Sequence, residues 1–263
     1  MNSSGQLVKR LSRIASALAD TGSARALLAF GSAGYDLSRL DDYSDLDFLV
    51  IAKDGEKQTL LEDLSWLERS SPLSFTYRHT PDGIKALSED GILYDLGILE
   101  TGELNSFPHE KGRIIWREDS FDPSLAGETL SRFPETASDR SFEWLLGEII
   151  TALYTGLCRY GRGEKMSAFK LIQVTALERY LELISRLESG GSVYSADPFD
   201  SARRVEFRNP GIGRELEKLA QGYGGTIASA EALIHALSAR VPLSPAVLSR
   251  LTSLLAEERA RVG

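Results

Sequence analysis

Residues 27–53, LLAFGSAGYDLSRLDDYSDLDFLVIAK, constrain the fold of this chain more than any other segment. Two short apolar runs, 26–30 at the beginning of this segment and 48–51 near its end, have the length and composition of buried strands. A Gly-Ser pair follows the first run, and a polar loop leads from this pair to the second. We therefore predict a strand–loop–strand unit in which polar residues are concentrated at the ends of two buried strands.

Asp45 and Asp47 stand at the start of the second run and alternate with apolar residues. Side chains two positions apart on a strand point to the same face, so both carboxylates lie on one face. Adjacent acids repel each other and are costly to desolvate, which favours a bound cation. Mg²⁺ suits them, since it binds through one or two carboxylates together with phosphate oxygens and water. By spacing alone, a strand start with two solvated acids is an equal alternative.

Gly31 and Ser32 end the first apolar run. Glycine permits a positive φ or a close approach of the backbone to another group. Ser32 can cap a short helix or donate its hydroxyl to an anion, and helix starts favour phosphate. A phosphate cradle joined by one loop to a pair of acids describes a site for a nucleotide and a divalent cation.

Asp95 interrupts a third apolar run, residues 92–99, which predicts another buried strand. A lone aspartate in such a run needs a partner or a metal ion. An aspartate on the solvated face of the strand is the alternative.

These motifs resemble the signature of the polymerase-beta-like nucleotidyltransferase superfamily, which has Gly-Ser, a spacer and then acid–apolar–acid. Gly31, Ser32, Asp45 and Asp47 match it, and the resemblance covers mainly the N-terminal part of the chain. The loop after Gly-Ser lacks the basic Ala-Arg-Gly run of many relatives. The two-domain layout looks like that of antibiotic nucleotidyltransferases, which modify aminoglycosides and lincosamides.

The resemblance implies transfer of a nucleoside monophosphate from a nucleoside triphosphate to a hydroxyl of a small acceptor, with release of pyrophosphate. It implies that Asp45, Asp47 and Asp95 are the catalytic, metal-binding carboxylates and hold two Mg²⁺ ions. Asp95 would complete the shell of the second ion or accept the proton of the acceptor. Glu148, flanked by apolar residues in a predicted helix, is the alternative general base.

Three residues are expected to bind the nucleotide. The resemblance implies that Gly31 and Ser32 hold a terminal phosphate. Lys170, near the start of a predicted helix, could reach phosphates, although exposed lysines at helix starts are common. The nucleotide and the acceptor stay open.

The fold class we predict is α+β, with a nucleotidyltransferase-type mixed sheet flanked by helices and then an all-α helical bundle. The predicted domains are 1–120, which is catalytic, and 137–263, which in antibiotic-modifying relatives supplies part of the acceptor pocket. Residues 118–138, rich in Pro, Ser, Asp and Glu, are predicted to connect them. Apolar periodicity predicts strands at 73–78, 84–87 and 112–117 and helices at 6–19, 57–69, 139–160, 164–188, 214–220, 227–237 and 245–259.

The chain has 263 residues and a net charge of −8, with no run rich in lysine or arginine. This balance disfavours a nucleic-acid partner. His79, His109 and His235 are scattered and show no zinc-ligand spacing. With one cysteine, Cys158, no signal-peptide pattern and no membrane-length apolar segment, the sequence predicts a cytoplasmic protein without a membrane partner.

Two alternatives remain open for the function. A protein or a tRNA end could replace the small molecule as acceptor, as in toxin-type relatives, although the net charge argues against it. The chain could also be a catalytically silent nucleotide-binding or interaction protein on the same fold, which the acidic loop after Gly-Ser favours. A homodimer is compatible with the sequence.

Overall fold

The computed structural model describes residues 4–35, 37–107, 111–131, 140–187 and 200–262. It divides the chain into two compact units, Met1–Glu135 and Thr136–Gly263. Within the described ranges, all strands belong to the first unit. No described helix is long and apolar enough to cross a membrane.

The first unit is built on a mixed sheet. Its described α-helices and strands are α1 (Ser4–Thr21), β1 (Ala24–Ala29), α2 (Gly31–Gly34), β2 (Leu46–Ala52), α3 (Lys57–Glu62), α4 (Ser65–Glu68), β3 (Leu73–Arg78), β4 (Gly83–Ser88), β5 (Leu93–Glu100), β6 (Arg113–Arg117) and α5 (Ser124–Ser131). The strand order is β3-β4-β5-β2-β1-β6. Strands β2 and β5 are parallel, and the other neighbouring pairs are antiparallel. The mixed sheet with helices confirms the α+β class.

Both faces of the sheet centre carry apolar side chains, because β2 is almost continuously apolar. On one face, Val50 of β2 lies in a core that includes residues of α1 and Trp66 of α4. On the opposite face, Leu49 lies in a smaller core with Ala126 of α5. Asp47 lies two residues before Leu49 on β2, so the two side chains point to the same face of the sheet. It is only half-buried, so this end of the face is open to solvent.

The second unit is helical throughout its described part. It consists of α6 (Phe142–Gly161), α7 (Lys165–Phe169), a π-helical segment (Lys170–Ala176), α8 (Leu177–Leu187), α9 (Val205–Arg208), α10 (Pro210–Leu219), α11 (Thr226–Arg240) and α12 (Pro245–Val262). One hydrophobic core joins α6, the π-helical segment and helices α8 to α12, and the described elements confirm the prediction of helices in this half of the chain.

Two predictions for the first unit are wrong in detail. The helix predicted at 57–69 is broken into α3 and α4, because the Asp63 carboxylate accepts a hydrogen bond from the Ser65 amide at 2.9 Å and starts a new helix. The connection predicted at 118–138 contains α5, because Ala126 is buried in the smaller core. Residues 132–139 lie outside the described ranges.

The helix predicted at 164–188 is not regular α-helix, since Lys170–Ala176 is π-helical. Gln173 in this segment is buried, and its side chain accepts from the Gly222 amide at 2.8 Å and donates to the Gly222 carbonyl at 2.7 Å. It also donates to the Thr226 hydroxyl at 3.2 Å. These contacts hold the Gln173 side chain in a direction in which a regular α-helix would not point it. We attribute the π-helical segment to them.

Candidate functional site

Gly31 forms the turn between β1 and α2 with a left-handed backbone, φ +57°. A β-carbon at this position would lie 2.6 Å from Oδ2 of Asp47, which is closer than side chains approach. The Phe30 amide donates to the Asp47 carbonyl at 2.9 Å and holds the two segments together. Glycine is therefore required both by the backbone angle and by the neighbouring carboxylate. The predicted reasons for Gly31, a positive φ or a close approach, are both confirmed.

Ser32 is the second residue of α2 and does not cap it. The N-cap position is Phe30, which has extended backbone angles and makes no side-chain capping bond. The capping role predicted for Ser32 is therefore wrong, because the helix begins two residues earlier than this role requires. Ser32 is half-buried, and its binding of a phosphate stays a prediction.

Asp47, Asp95 and Lys85 form one row across three neighbouring strands. Asp47 of β2 is paired with Asp95 of the parallel strand β5. Asp95 is paired in turn with Lys85 of the antiparallel strand β4. Paired residues of neighbouring strands share a face and are about 5 Å apart. The structure therefore brings two of the predicted carboxylates together and adds a lysine for which no role was predicted.

Asp95 is flanked by two nitrogen-bearing side chains. Lys85 Nζ lies 2.9 Å from Oδ2 of Asp95, and His79 Nε2 lies 3.6 Å from Oδ1. The hydrogen bond and the charge of Asp95 raise the pKa of Lys85 above its ordinary value, with a further contribution from the charge of Asp47. Lys85 is therefore an ammonium ion at neutral pH. The Lys85 and Asp95 side chains are 37% and 36% exposed, so solvent screens their interaction.

The partner of Asp95 was predictable in principle. Residues 89–91, Glu-Asp-Gly, have the composition of a turn and make β4 and β5 a hairpin, and Gly91 adopts φ +87° there. A hairpin centred on that turn pairs residue 85 with residue 95, as observed. The prediction of a short strand at 84–87 left its register open. His79 gave no such signal, because its position depends on the bend between β3 and β4.

The other predicted site residues are not in this row. Asp45 is half-buried and lies one residue before β2, outside the paired positions. Lys170 is exposed at the start of the π segment, and Glu148 is half-buried in α6. Both belong to the second unit, and their proposed roles stay predictions. His109 lies outside the described residues.

The carboxylates of Asp47 and Asp95 can form a magnesium site only together with other ligands. In the described part of the chain, no group of three His, Cys, Asp or Glu side chains is arranged to hold a metal ion. Two carboxylates side by side are nevertheless the chemistry through which Mg²⁺ binds when phosphate oxygens and water supply the other ligands. Oδ2 of Asp47 lies 2.6 Å from where a β-carbon of residue 31 would stand, so a cation on this carboxylate would lie next to the backbone turn at Gly31. The residues fit Mg²⁺ with a phosphate, and its binding stays a prediction.

Comparison with known proteins leaves the family open. No protein-family model matches the chain, and no curated protein matches it. Ten chains of solved structures match. One is the crystal structure of an aminoglycoside 6-adenyltransferase from Bacillus subtilis, at 13% identity, 99% coverage of this chain, 92% coverage of that chain and a TM-score of 0.33. A TM-score this low supports no conclusion about activity or substrate, so the interpretation rests on the geometry of the first unit.

Proposed function

We propose that this protein transfers a nucleoside monophosphate from a nucleoside triphosphate to a hydroxyl of a small molecule. The observation that carries the proposal is the contact of Gly31 with Asp47, in a row that also holds Asp95. A left-handed glycine at the end of a strand lets a phosphate approach the backbone. The carboxylates beside it require a cation, and a triphosphate with its cation satisfies both features.

The residues of the chain have distinct roles in this proposal. Asp45 and Asp47 would hold Mg²⁺, and the backbone at Gly31 with the Ser32 hydroxyl would bind phosphate oxygens. When bound, Mg²⁺ would neutralise charge on the phosphates and lower the pKa of the acceptor hydroxyl. Asp45 and Asp47 differ in their backbone setting, because Asp47 is fixed within β2 whereas Asp45 precedes the strand.

In the reaction, the acceptor oxygen forms a bond to the α-phosphorus, and the bond from that phosphorus to the bridging oxygen of pyrophosphate breaks. Pyrophosphate leaves with the electron pair. The hydroxyl proton goes to a carboxylate base, for which Asp95 is the candidate in the first unit. His79, 3.6 Å from Asp95, and Lys85 orient that carboxylate.

A second candidate function is binding of a nucleotide without catalysis. The observation that favours it is the ion pair of Lys85 with Asp95, which already compensates the third carboxylate. A protein of this kind would bind a nucleoside triphosphate saturably and release no pyrophosphate. The two candidates therefore differ in turnover rather than in binding.

The test is a pyrophosphate-release assay with ATP, CTP, GTP and UTP, each with Mg²⁺, against panels of aminoglycosides, lincosamides and tRNA. We expect release with at least one small hydroxylated acceptor and a loss of about 100-fold in Asp47→Asn. Asp54→Asn is the matched control, because Asp54 is 74% exposed and its ion pair with Arg25 is 3.4 Å long. Undiminished release by Asp47→Asn would overturn the proposed site. Saturable binding without any release would favour the second candidate.

A further inference from the structure

The proposed reaction uses Lys85 only to orient Asp95 and gives its positive charge no role. Its register position fixes it beside Asp95, and Asp95 lies beside Asp47. Its ammonium is 2.9 Å from Oδ2 of Asp95. The backbone pairing of β4 and β5 therefore builds a positive charge into the acidic row.

The charges of the site fit a single divalent cation. Asp45, Asp47 and Asp95 carry three negative charges, and Lys85 returns one positive charge. In the site without nucleotide, the two net negative charges that remain are those that one divalent cation neutralises.

We infer that Lys85 serves as a fixed cation of the site, so that this protein binds one divalent cation per chain where the resemblance implies two. The inference rests on the proposed function and deepens it. The Lys85 ammonium neutralises the negative charge of Asp95 and holds the Asp95 carboxylate against β4. Asp95 then acts as a base or as the anchor of Lys85, and not as a ligand of a second ion.

An ordinary surface ion pair is the competing explanation, because exposed pairs form without any function. Lys53 provides a matched control for it. Its Nζ lies 3.3 Å from Oε2 of Glu118, and its side chain is 38% exposed, against 37% for Lys85. Lys53 and Lys85 thus differ mainly in whether the partner belongs to the acidic row.

The experiment is a titration of the full chain with Mn²⁺ alone, following the free-ion signal by electron paramagnetic resonance. The wild type, Lys85→Met, Lys85→Gln and Lys53→Met are compared, and thermal unfolding confirms that each is folded. We expect one Mn²⁺ per chain for the wild type and Lys53→Met. Both Lys85 variants should bind two, or bind the first about tenfold more tightly, because a like charge near the ion is removed.

Each outcome decides the inference. Two ions in the wild type, or the same number and affinity in the Lys85 variants as in Lys53→Met, would overturn the role of Lys85 and leave the proposed function standing. Absence of Mn²⁺ binding in the wild type and in all variants would overturn the inference, whereas the proposed function is tested by pyrophosphate release, in which phosphate oxygens supply further ligands. Lys85→Gln guards against a misfolded Lys85→Met, because it keeps a polar side chain at the same strand position.

Discussion

The hairpin of β4 and β5 carries two ion pairs that differ sharply in their surroundings. At its turn, Arg10 of α1 pairs with Asp90 and also donates to the Tyr94 hydroxyl. Near its middle, Lys85 pairs with Asp95. The Arg10 side chain is 7% exposed, whereas that of Lys85 is 37% exposed. We call the first the enclosed pair, because its guanidinium is buried although Asp90 is 44% exposed, and the second the open pair, because both of its side chains are more than a third exposed.

From this difference we infer that the first pair stabilises the fold, whereas the second is exposed enough to contact a ligand. Arg10 reaches from a helix into the sheet, so its contacts dock α1 on the core. Buried charges are tolerated only when they are paired and hydrogen-bonded. Lys85 joins neighbouring strands that the backbone already pairs, and it adds little to the fold. Its value lies in the charge that it brings to the row of Asp47 and Asp95.

The largest stability effect is expected where the enclosed pair is broken. Asp90→Asn leaves the buried Arg10 guanidinium without its carboxylate, so the free energy of unfolding should fall by about 3 kcal/mol. Urea unfolding measures it. Asp20→Asn is the control, because the pair of Asp20 with Arg69 is 3.4 Å long with both side chains more than half exposed, at 66% and 56%. A loss as small as that of the control would show that Arg10 is solvated after all.

A somewhat smaller effect is expected at the glycine beside the row. Gly31→Ala strains a left-handed backbone and pushes a β-carbon against Asp47, so we expect a loss of about 2 kcal/mol. Gly22→Ala is the control, because Gly22 has φ +71° and, among the described residues, no atom lies within 4 Å of where its β-carbon would stand. It should lose only about 1 kcal/mol. Urea unfolding measures both losses. Equal losses of unfolding free energy in the two variants would show that the contact with Asp47 does not contribute.

The enclosed pair should also give a pH dependence. The hydrogen bond from Arg10 lowers the pKa of Asp90, and Ser88 adds a further hydrogen bond. A carboxyl with a lowered folded pKa contributes stability that is full above its unfolded value, about 4, and is lost as pH falls through the folded value. The wild type should therefore lose more stability than Asp90→Asn as the pH falls from above that unfolded value to below the folded one. Parallel curves for the two proteins would contradict this.

The smallest effect on stability is expected at the open pair. Lys85→Met should change the free energy of unfolding by less than about 1 kcal/mol, as should Lys53→Met. Thermal or urea unfolding of both variants tests this. A loss for Lys85→Met as large as that for Asp90→Asn would mean that the open pair holds the hairpin together, and the contrast between the two pairs would fail.

The sequence predicted the parts of the site that follow from local pattern. Apolar runs predicted the strands, and strand alternation put Asp47 on the face opposite its apolar neighbours. Gly31 was predictable because few residues adopt a positive φ. The contact of Gly31 with Asp47, and the pair of Lys85 with Asp95, depend on strand register, which apolar periodicity alone does not supply.

The parts that were missed depend on contacts distant in sequence. The π-helical turn at Gln173 depends on Gly222, whose amide and carbonyl it binds. Helix α5 was hidden in a polar stretch because only a few of its residues, among them Ala126, reach the smaller core. Helical periodicity predicts neither the π-helical segment nor α5, because each depends on the part of the protein against which it packs.

Nucleotide binding with and without Mg²⁺ tests the central claim most directly. ATP, CTP, GTP and UTP are titrated in turn by calorimetry into the wild type, the Asp45→Asn/Asp47→Asn double variant and Asp54→Asn, with circular dichroism as the check on folding. We predict that the wild type and Asp54→Asn bind at least one nucleotide only when Mg²⁺ is present, and that the double variant binds it about 100-fold more weakly. Equal Mg²⁺-dependent affinity in the folded double variant would contradict the account.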